Sequence, residues 1–209
     1  MPELTLKHDP YNLIITGVGG QGNVMTSRAV GNMLSLLGFH VTIGETFGAS
    51  QRGGSVMSHV RISKDSSWSP QIPSGHAHMV VSMEPSETIR VLKDFGNRDV
   101  KVITNTRPFY PVGVISGQIS YPSDDDIRTW ISELTSKAWF LNATEKAVAI
   151  GDPILGNVIM AGALAGTGEL PLDREVFHTI MASRFSGDIL QKNLDAYAFG
   201  VESVLSRKI

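Results

Sequence analysis

The sequence predicts an α/β fold, with a Rossmann-like, doubly wound and largely parallel sheet and a helical C-terminal region. Short apolar runs alternate with segments of helical periodicity, which is typical of βαβ units. A glycine-rich turn directly follows the first apolar run, and the pattern is helical from about residue 143 to 209. Because no clear linker interrupts these patterns, residues 1–209 are expected to form a single domain.

The strands of the sheet are predicted at short runs of apolar residues, or of alternating apolar and polar residues. They cover residues 12–16, 39–43, 55–63, 79–83, 100–104 and 139–142. Glycines at positions 44, 48, 53 and 54 predict a loop between the second and third strands. Residues 105–123, which are rich in Pro and Gly, are expected to form a long connection with short strands.

Helices are predicted where apolar residues recur at intervals of three or four. They cover residues 24–37, 84–92, 125–137, 144–150, 157–165, 171–185 and 188–206. Gly38 is placed to end the first helix, and Pro85 suits the first turn of the second. Small residues in the helix over 157–165 would permit close backbone packing.

The composition narrows the possible functions. The chain has 209 residues and no cysteine, which excludes disulfides, a cysteine nucleophile and thiolate ligation of an iron–sulfur cluster on this chain. The net charge is −2, and the chain lacks the excess of basic residues that would indicate a nucleic-acid partner. No apolar run is long enough for a membrane span, and no secretory signal is visible, so we expect a cytoplasmic protein without a membrane partner.

The turn at residues 17–22 satisfies the pattern G-x-G-x-x-G between a predicted strand and a predicted helix. Such a turn needs one glycine for the tight bend, one for the approach of backbone to a phosphate, and one for helix–strand packing. The helix that follows offers unpaired amides and the positive end of its dipole to an anion. A purely structural turn that binds nothing is the alternative.

An NAD site would further require an acidic residue at the end of the second strand, where Glu45 stands. Two features argue against NAD. The turn contains an additional glycine, Gly20, followed by Gln21. Glu45 also leads into a glycine-rich loop and an alternating strand rather than into a helix and crossover.

The loop at residues 45–54 is the second candidate for ligand binding. Arg52 carries a planar cation that suits a carboxylate or phosphate, and the flanking glycines would let backbone approach a ligand or another chain. A solvated arginine in a surface loop is the alternative. Together the two loops supply the predicted cofactor-binding residues: Gly17, Gly19, Gly20, Gln21, Gly22, Glu45, Gln51, Arg52, Gly53 and Gly54.

No residues indicate catalysis or metal binding by this chain. His76 and His78 have a close spacing, but a lone pair of histidines more simply faces solvent or a strand edge. Ser55 and Ser58 lack an evident His/Asp arrangement. We therefore expect neither a catalytic residue nor a metal site here.

The paired motifs G-V-G-G-Q-G at 17–22 and E-T-F-G-A-S-Q-R-G-G-S-V at 45–56 resemble the gamma-type domain of the pyruvate/2-oxoacid:ferredoxin oxidoreductase family. The resemblance continues at Glu84-Pro85 with Glu87 and Arg90, at Asn105, at Gly156-Asn157 and at 170–172, and so spans nearly the whole chain. Within the family, the motifs are most similar to those of the small subunits of the indolepyruvate enzymes.

The resemblance implies oxidative decarboxylation of a 2-oxoacid of the aryl-pyruvate kind, with coenzyme A accepting the acyl group and ferredoxin the electrons. It implies that thiamine diphosphate and the iron–sulfur clusters lie on a large catalytic (alpha) subunit. This chain would be inactive alone, would meet ferredoxin only through the complex, and could form a homodimer when isolated. Coenzyme A is the candidate ligand of the glycine turn.

Two other functions remain open at this point. The chain could be a stand-alone nucleotide- or NAD-binding Rossmann-type enzyme that uses the same turn. It could also be an interaction module whose glycine turn is only structural.

Overall fold

A six-stranded sheet forms the centre of the computed structural model, which describes residues 5–48 and 53–206. The strands are β1 (Tyr11–Val18), β2 (His40–Phe47), β3 (Ser55–Ser63), β4 (Met79–Ser82), β5 (Lys101–Asn105) and β6 (Lys137–Leu141). Their order across the sheet is β2-β3-β1-β4-β5-β6. β1 lies inside the sheet, between β3 and β4, and is buried along its whole length.

Helices cover both faces of the sheet. They are α1 (Asn23–Leu36), α2 (Pro85–Phe95), α3 (Val112–Ile115), α4 (Asp124–Glu133), α5 (Ala143–Ile150), α6 (Gly156–Thr167), α7 (Arg174–Ala182) and α8 (Gly187–Leu205). In the two described ranges, no helix is both long enough and apolar enough to cross a bilayer.

The sheet is largely parallel, as the sequence predicts. β1, β4, β5 and β6 pair in parallel, whereas β3 is antiparallel to both of its neighbours, β1 and β2. From β1 the chain passes through α1 to β2, which lies on one side of β1 in the strand order. It later passes from β4 through α2 to β5 and through α4 to β6, on the other side of β1. The direction of winding therefore reverses between β1 and β4, and open α/β sheets bind ligands at the carboxyl ends of the strands at such a point.

Alternation along β1 divides the core into two layers. Leu13 and Ile15 contribute to the layer beneath α1 and α6, whereas Ile14 contributes to the opposite layer beneath α2 and α4. All three side chains are fully buried. The strand thus reads as a continuous apolar run because both of its faces are covered.

Close packing of α6 against α8 completes the first layer, and it depends on glycine. A Cβ at Gly200 would lie 2.0 Å from the carbonyl oxygen of Ile159, and one at Gly162 would lie 2.1 Å from that of Tyr197. A Cβ at Gly166 would meet Val201 at 2.6 Å. The backbones are therefore in direct contact, in keeping with the close packing predicted from the small residues of this helix.

Two segments differ from the prediction. Residues 44–47 are not loop, because β2 continues to Phe47, and Gly44 pairs with His59. Glycine stands there because a Cβ would lie 2.8 Å from Pro70, which packs over the strand. Residues 106–123 contain the short helix α3 instead of the expected short strands, and it begins after Pro111.

The segment before β4 places His78 in a partly buried position instead of at a solvent-facing edge. Its Nδ1 accepts a hydrogen bond of 2.9 Å from the backbone of Asn12, and its ring stacks on His8 at 4.0 Å. Burial, with repulsion from His8 and His76, lowers the pKa of His78 to about 4. His76 is exposed, as expected.

Replacing Gly200 by Ala should destabilise the fold by about 1–3 kcal/mol, because the added methyl group must push α6 and α8 apart. Gly156→Ala is the matched control, since a Cβ there meets nothing closer than 3.9 Å. Urea denaturation of both variants tests this, and equal stabilities would contradict the packing described here.

The free energy of unfolding should fall as the pH is lowered from about 6.5 towards 4, in part because of His78. The folded-state pKa is below the ordinary value of 6.5, so the unfolded chain takes up the proton first and acid favours unfolding. His8 and His76 repel this charge, and Asp99, Lys101 and Glu169 line the same cavity.

His78→Asn keeps an acceptor for the Asn12 amide and should flatten this dependence, and His40→Asn, at an exposed histidine, is the matched control. Urea denaturation at about pH 7 and about pH 5 measures the slope. Parallel losses of stability in wild type and His78→Asn would show that another group is responsible.

Candidate functional site

The glycine turn lies at the carboxyl end of β1, where the winding of the sheet reverses. Gly20 and Gly22 have φ angles of 103° and 86°, which favour glycine. Gly17 lies inside β1, and a Cβ there would come within 2.7 Å of the side-chain oxygens of Gln21 and Asn23. Glycine is thus required by backbone conformation at two of these positions and by side-chain packing at the third.

The side chain of Gln21 folds back from the turn and joins two strands. Its Oε1 accepts a hydrogen bond of 2.8 Å from the amide of Val18, and its Nε2 donates one of 3.3 Å to the carbonyl oxygen of Met83. These contacts link the end of β1 to the end of β4. Gln21 therefore fixes the width of the crevice between them.

The second predicted loop meets the glycine turn through the backbone. The amide of Gly19 donates to the carbonyl of Gly54 at 2.8 Å, and the amide of Gly53 donates to that of Gly19 at 3.5 Å. The two motifs thus lie side by side, although the Gly19 amide is engaged within the protein. Gln51 and Arg52, the other predicted residues of this loop, lie outside the described residues.

Glu45 lies away from the turn, and this arrangement argues against the NAD alternative. It forms a 3.7 Å ion pair with Arg28 of α1. Because β3 intervenes between β2 and β1, the strand of Glu45 is two strand spacings, or about 10 Å, from β1. In a dinucleotide-binding sheet the strand with the ribose-binding acid adjoins β1.

A cavity of about 320 Å³ opens at this end of the sheet, beside the turn. It lies between the ends of β1, β4 and β5 and the N-terminal ends of α5 and α6. We call it the crevice, and its lining residues are Gly20, Gln21, Met83, Asn105, Thr144, Pro153, Ile154, Gly156, Asn157 and Met160.

The uncapped N-terminus of α6 lines the crevice, and the glycine turn that also lines it leads into the uncapped N-terminus of α1. Among the described helices of eight or more residues, only α1 and α6 begin with neither a side-chain cap nor an acidic residue in the first turn. The first amides of α1 have no acceptor within the helix. At α6 the Gly156 amide bonds to the preceding 3-10 turn, so α6 adds mainly its dipole.

Polar side chains at the crevice are held in place by the fold. Asn105 donates to the carbonyl of Met83 at 3.1 Å and to the hydroxyl of Thr144 at 2.9 Å. The Thr144 hydroxyl keeps its own proton available. Asn157 is 6% exposed, and its side chain makes no hydrogen bond with any described residue. The crevice therefore combines hydrogen-bond donors with positive helix ends, which suits an anionic ligand.

A family model for pyruvate ferredoxin/flavodoxin oxidoreductase matches residues 12–203. The chain belongs to this family. It is 34% identical over 195 residues to indolepyruvate oxidoreductase subunit IorB of Archaeoglobus fulgidus, covering 93% of this chain and 96% of that protein. It is a small subunit of the 2-oxoacid:ferredoxin oxidoreductase family, and the stand-alone NAD enzyme is not favoured.

Solved structures share the fold of this small subunit. The gamma subunit of the keto/oxoacid ferredoxin oxidoreductase from Geobacter sulfurreducens matches with a TM-score of 0.65 at 18% identity, over 94% of this chain and 99% of that one. The 2-oxoglutarate:ferredoxin oxidoreductase of Magnetococcus marinus matches with a TM-score of 0.73 at 16% identity, over 96% of this chain but 32% of that one. In the latter, the fold is one part of a much longer chain.

A buried carboxylate organises the small subunit beside the crevice. Glu84, which follows β4, is fully buried. It accepts hydrogen bonds from the amide of Glu87 at 2.8 Å, the hydroxyl of Ser86 at 2.6 Å, the amide of Phe109 at 3.3 Å and the hydroxyl of Tyr121. Burial and the bond to Glu84 raise the pKa of Tyr121.

Glu84 thereby anchors residues 106–122, which we call the apolar arm. Helix α3, within the arm, buries none of its residues. Arg107 is the only charged residue in the arm. A Cβ on Gly53 would lie 3.9 Å from the ring of Phe109, so the arm borders the second loop. Its exposed apolar side chains are Phe109, Tyr110, Val112, Ile115 and Ile119.

Sequence reasoning selected Gln21 but not the other polar residues of the crevice as site residues. Asn105 and Asn157 entered only through the family resemblance, and Thr144 not at all. A signal exists for Asn105, which directly follows a buried strand and so lies at the binding edge of a parallel sheet. For Asn157 the signal is a helix start without an acidic residue, which is weaker.

Proposed function

We propose that this small subunit docks on a larger catalytic subunit and holds coenzyme A at the crevice during the oxidation of an aryl-substituted 2-oxoacid such as indolepyruvate. The observation that carries the proposal is a cavity that lies between the uncapped start of α6 and the glycine turn leading into α1. The reaction is oxidative decarboxylation, in which coenzyme A takes the acyl group and ferredoxin the electrons.

The redox cofactors fit the partner subunit better than this chain. Iron–sulfur clusters of the ferredoxin type need several cysteine thiolates, and this chain has no cysteine. Within the described residues, no group of three or more His, Asp or Glu side chains is arranged to hold a metal ion. We therefore assign thiamine diphosphate and the clusters to the large subunit, and contact with ferredoxin to the complex.

The crevice suits the phosphates of coenzyme A. The positive end of the α6 dipole favours an anion there, and the first amides of α1 directly follow the turn that lines the crevice. The hydroxyl of Thr144 and the amide of Asn157 add neutral donors. Gly20 has open space where a Cβ would stand, so a ligand can approach its backbone closely.

The relatives support the substrate and the ligand. Four curated relatives in archaea share the name indolepyruvate oxidoreductase subunit IorB, at 32% to 34% identity. The Magnetococcus marinus structure contains 2-oxoglutarate, coenzyme A and succinyl-CoA. The choice of indolepyruvate for this chain rests on the first group, because their similarity extends over nearly the whole sequence.

The apolar arm is the proposed contact with the large subunit. Its large side chains are exposed, and exposed apolar clusters of this kind usually mark interfaces. The arm directly follows Asn105, which lines the crevice, and the crevice must face the partner if the acyl group formed there is to reach coenzyme A. The same surface would allow the isolated chain to associate with itself.

Co-expression with the large subunit tests the function. We expect the two chains to co-purify and to reduce ferredoxin with indolepyruvate and coenzyme A, whereas this chain alone should be inactive. Ile115→Glu should abolish co-purification, because it places a charge at the proposed interface. Leu36→Glu is the matched control, since Leu36 is similarly exposed at the C-terminal end of α1, away from the crevice.

Activity of the isolated chain, or retention of the complex in Ile115→Glu together with loss in Leu36→Glu, would contradict the proposed assembly. Circular dichroism of both variants before mixing shows whether the substitutions leave the fold intact.

Coenzyme A binding should respond to charge at the start of α6. Gly156 has ordinary helical backbone angles and room for a side chain. Gly156→Asp should weaken binding about tenfold, because a carboxylate near a bound anion costs on the order of 1–4 kcal/mol close to the surface. Gly156→Asn, of the same shape but neutral, should change the affinity about threefold or less.

Isothermal titration calorimetry of the complex with coenzyme A measures both dissociation constants. Gly156→Asp should also be at least as stable as wild type, since an acidic residue favours the first turn of a helix. Equal effects of Asp and Asn on the dissociation constant would mean that the crevice does not bind the phosphates.

A further inference from the structure

A second and larger cavity, of about 470 Å³, lies among helices α1, α6, α7 and α8. We call it the helical cavity. Of its lining residues, only Ile154 and Asn157 also line the crevice. The two cavities are therefore separate spaces on either side of these two residues. Its volume is in the range of sites that hold small organic ligands.

The floor of the helical cavity is apolar and rigid. Phe177 and Met181 of α7 are buried there, together with Ala161 of α6. The ring of Phe177 stacks on Tyr197 with the ring centres 4.0 Å apart, and the Tyr197 hydroxyl donates to the Leu172 carbonyl at 3.1 Å. Because Tyr197 holds the ring of Phe177 in place, the side chains of the floor cannot move inward to fill the cavity.

The rim carries more positive than negative charge. Arg28 is paired with Glu45 at 3.7 Å, and Lys192 with Asp188 at 2.7 Å. The rim carboxylate, Asp152, accepts a hydrogen bond of 2.9 Å from the amide of Ile154. In contrast, Arg184 has no ion-pair partner among residues 5–48 and 53–206.

We propose that the helical cavity binds a small apolar monocarboxylate, with its aromatic or branched aliphatic group on the floor and its carboxylate against Arg184. The guanidinium offers the planar fork that matches a carboxylate. The apolar floor disfavours a strongly polar ligand. A single cation without an ion pair favours a ligand with one negative charge over a ligand with several. Binding here does not require coenzyme A at the crevice.

Methionine methyl groups can report on the two spaces separately. Met25 and Met181 line the helical cavity, whereas Met83 and Met160 line the crevice. Phenylacetate and its neutral analogue phenylacetamide would be titrated into the full chain with labelled methionine methyl groups and followed by NMR. We expect saturable shifts at Met25 and Met181, with Met83 and Met160 unchanged, and about tenfold tighter binding of the carboxylate.

Arg184→Met should remove the preference for phenylacetate over phenylacetamide and leave the affinity for the amide unchanged. Arg174→Met, a matched exposed arginine at the start of α7 outside the cavity, should keep the preference. Both positions are exposed, so both variants should fold. Absence of saturable shifts, shifts confined to Met83 and Met160, or an unchanged preference in Arg184→Met would overturn the proposal.

Discussion

The hydrogen bonds that hold the glycine turn between its two neighbours determine the rest of the functional end of this molecule. On one side the backbone of Gly19 bonds to the second loop, and on the other the side chain of Gln21 bonds to the end of β4. Because the turn leads directly into α1, these bonds also fix where the N-terminus of α1 points. The crevice lies beside this turn, at the point where the winding of the sheet reverses between β1 and β4.

Two helices at this end of the molecule, α1 and α6, lack the stabilisation that an N-terminal cap provides. A side-chain cap contributes about 1 kcal/mol to a helix, and α2, α4, α5 and α7 each have one. α8 has no such cap but carries an acidic residue in its first turn, whereas α1 and α6 have neither. α6 begins at the crevice, and the glycine turn that lines the crevice leads into α1. This pattern is expected if a bound anion replaces the missing caps, and it links the energetics of the helices to the proposed binding of coenzyme A.

The arrangement also suggests how a chain without cysteine can serve in an oxidoreductase family. Its buried carboxylate, Glu84, both caps α2 and holds the apolar arm beside the crevice. The proposed role, docking on a partner and holding coenzyme A, needs a rigid cavity and an exposed apolar surface, but no cysteine. The helical cavity adds a second rigid space, formed because α7 and the tightly packed pair α6 and α8 leave room beside α1.

The sequence by itself determined the α/β class, most strand positions, the glycine turn and the small residues of α6, because periodicity and glycine spacing are local signals. It could not place β3 between β1 and β2, since strand order depends on long-range pairing. That insertion removed Glu45 from the turn and with it the NAD alternative. Asn105, Thr144 and Asn157 meet only in three dimensions, from β5, α5 and α6. Only the tertiary structure could bring them together, because no sequence period links residues so far apart.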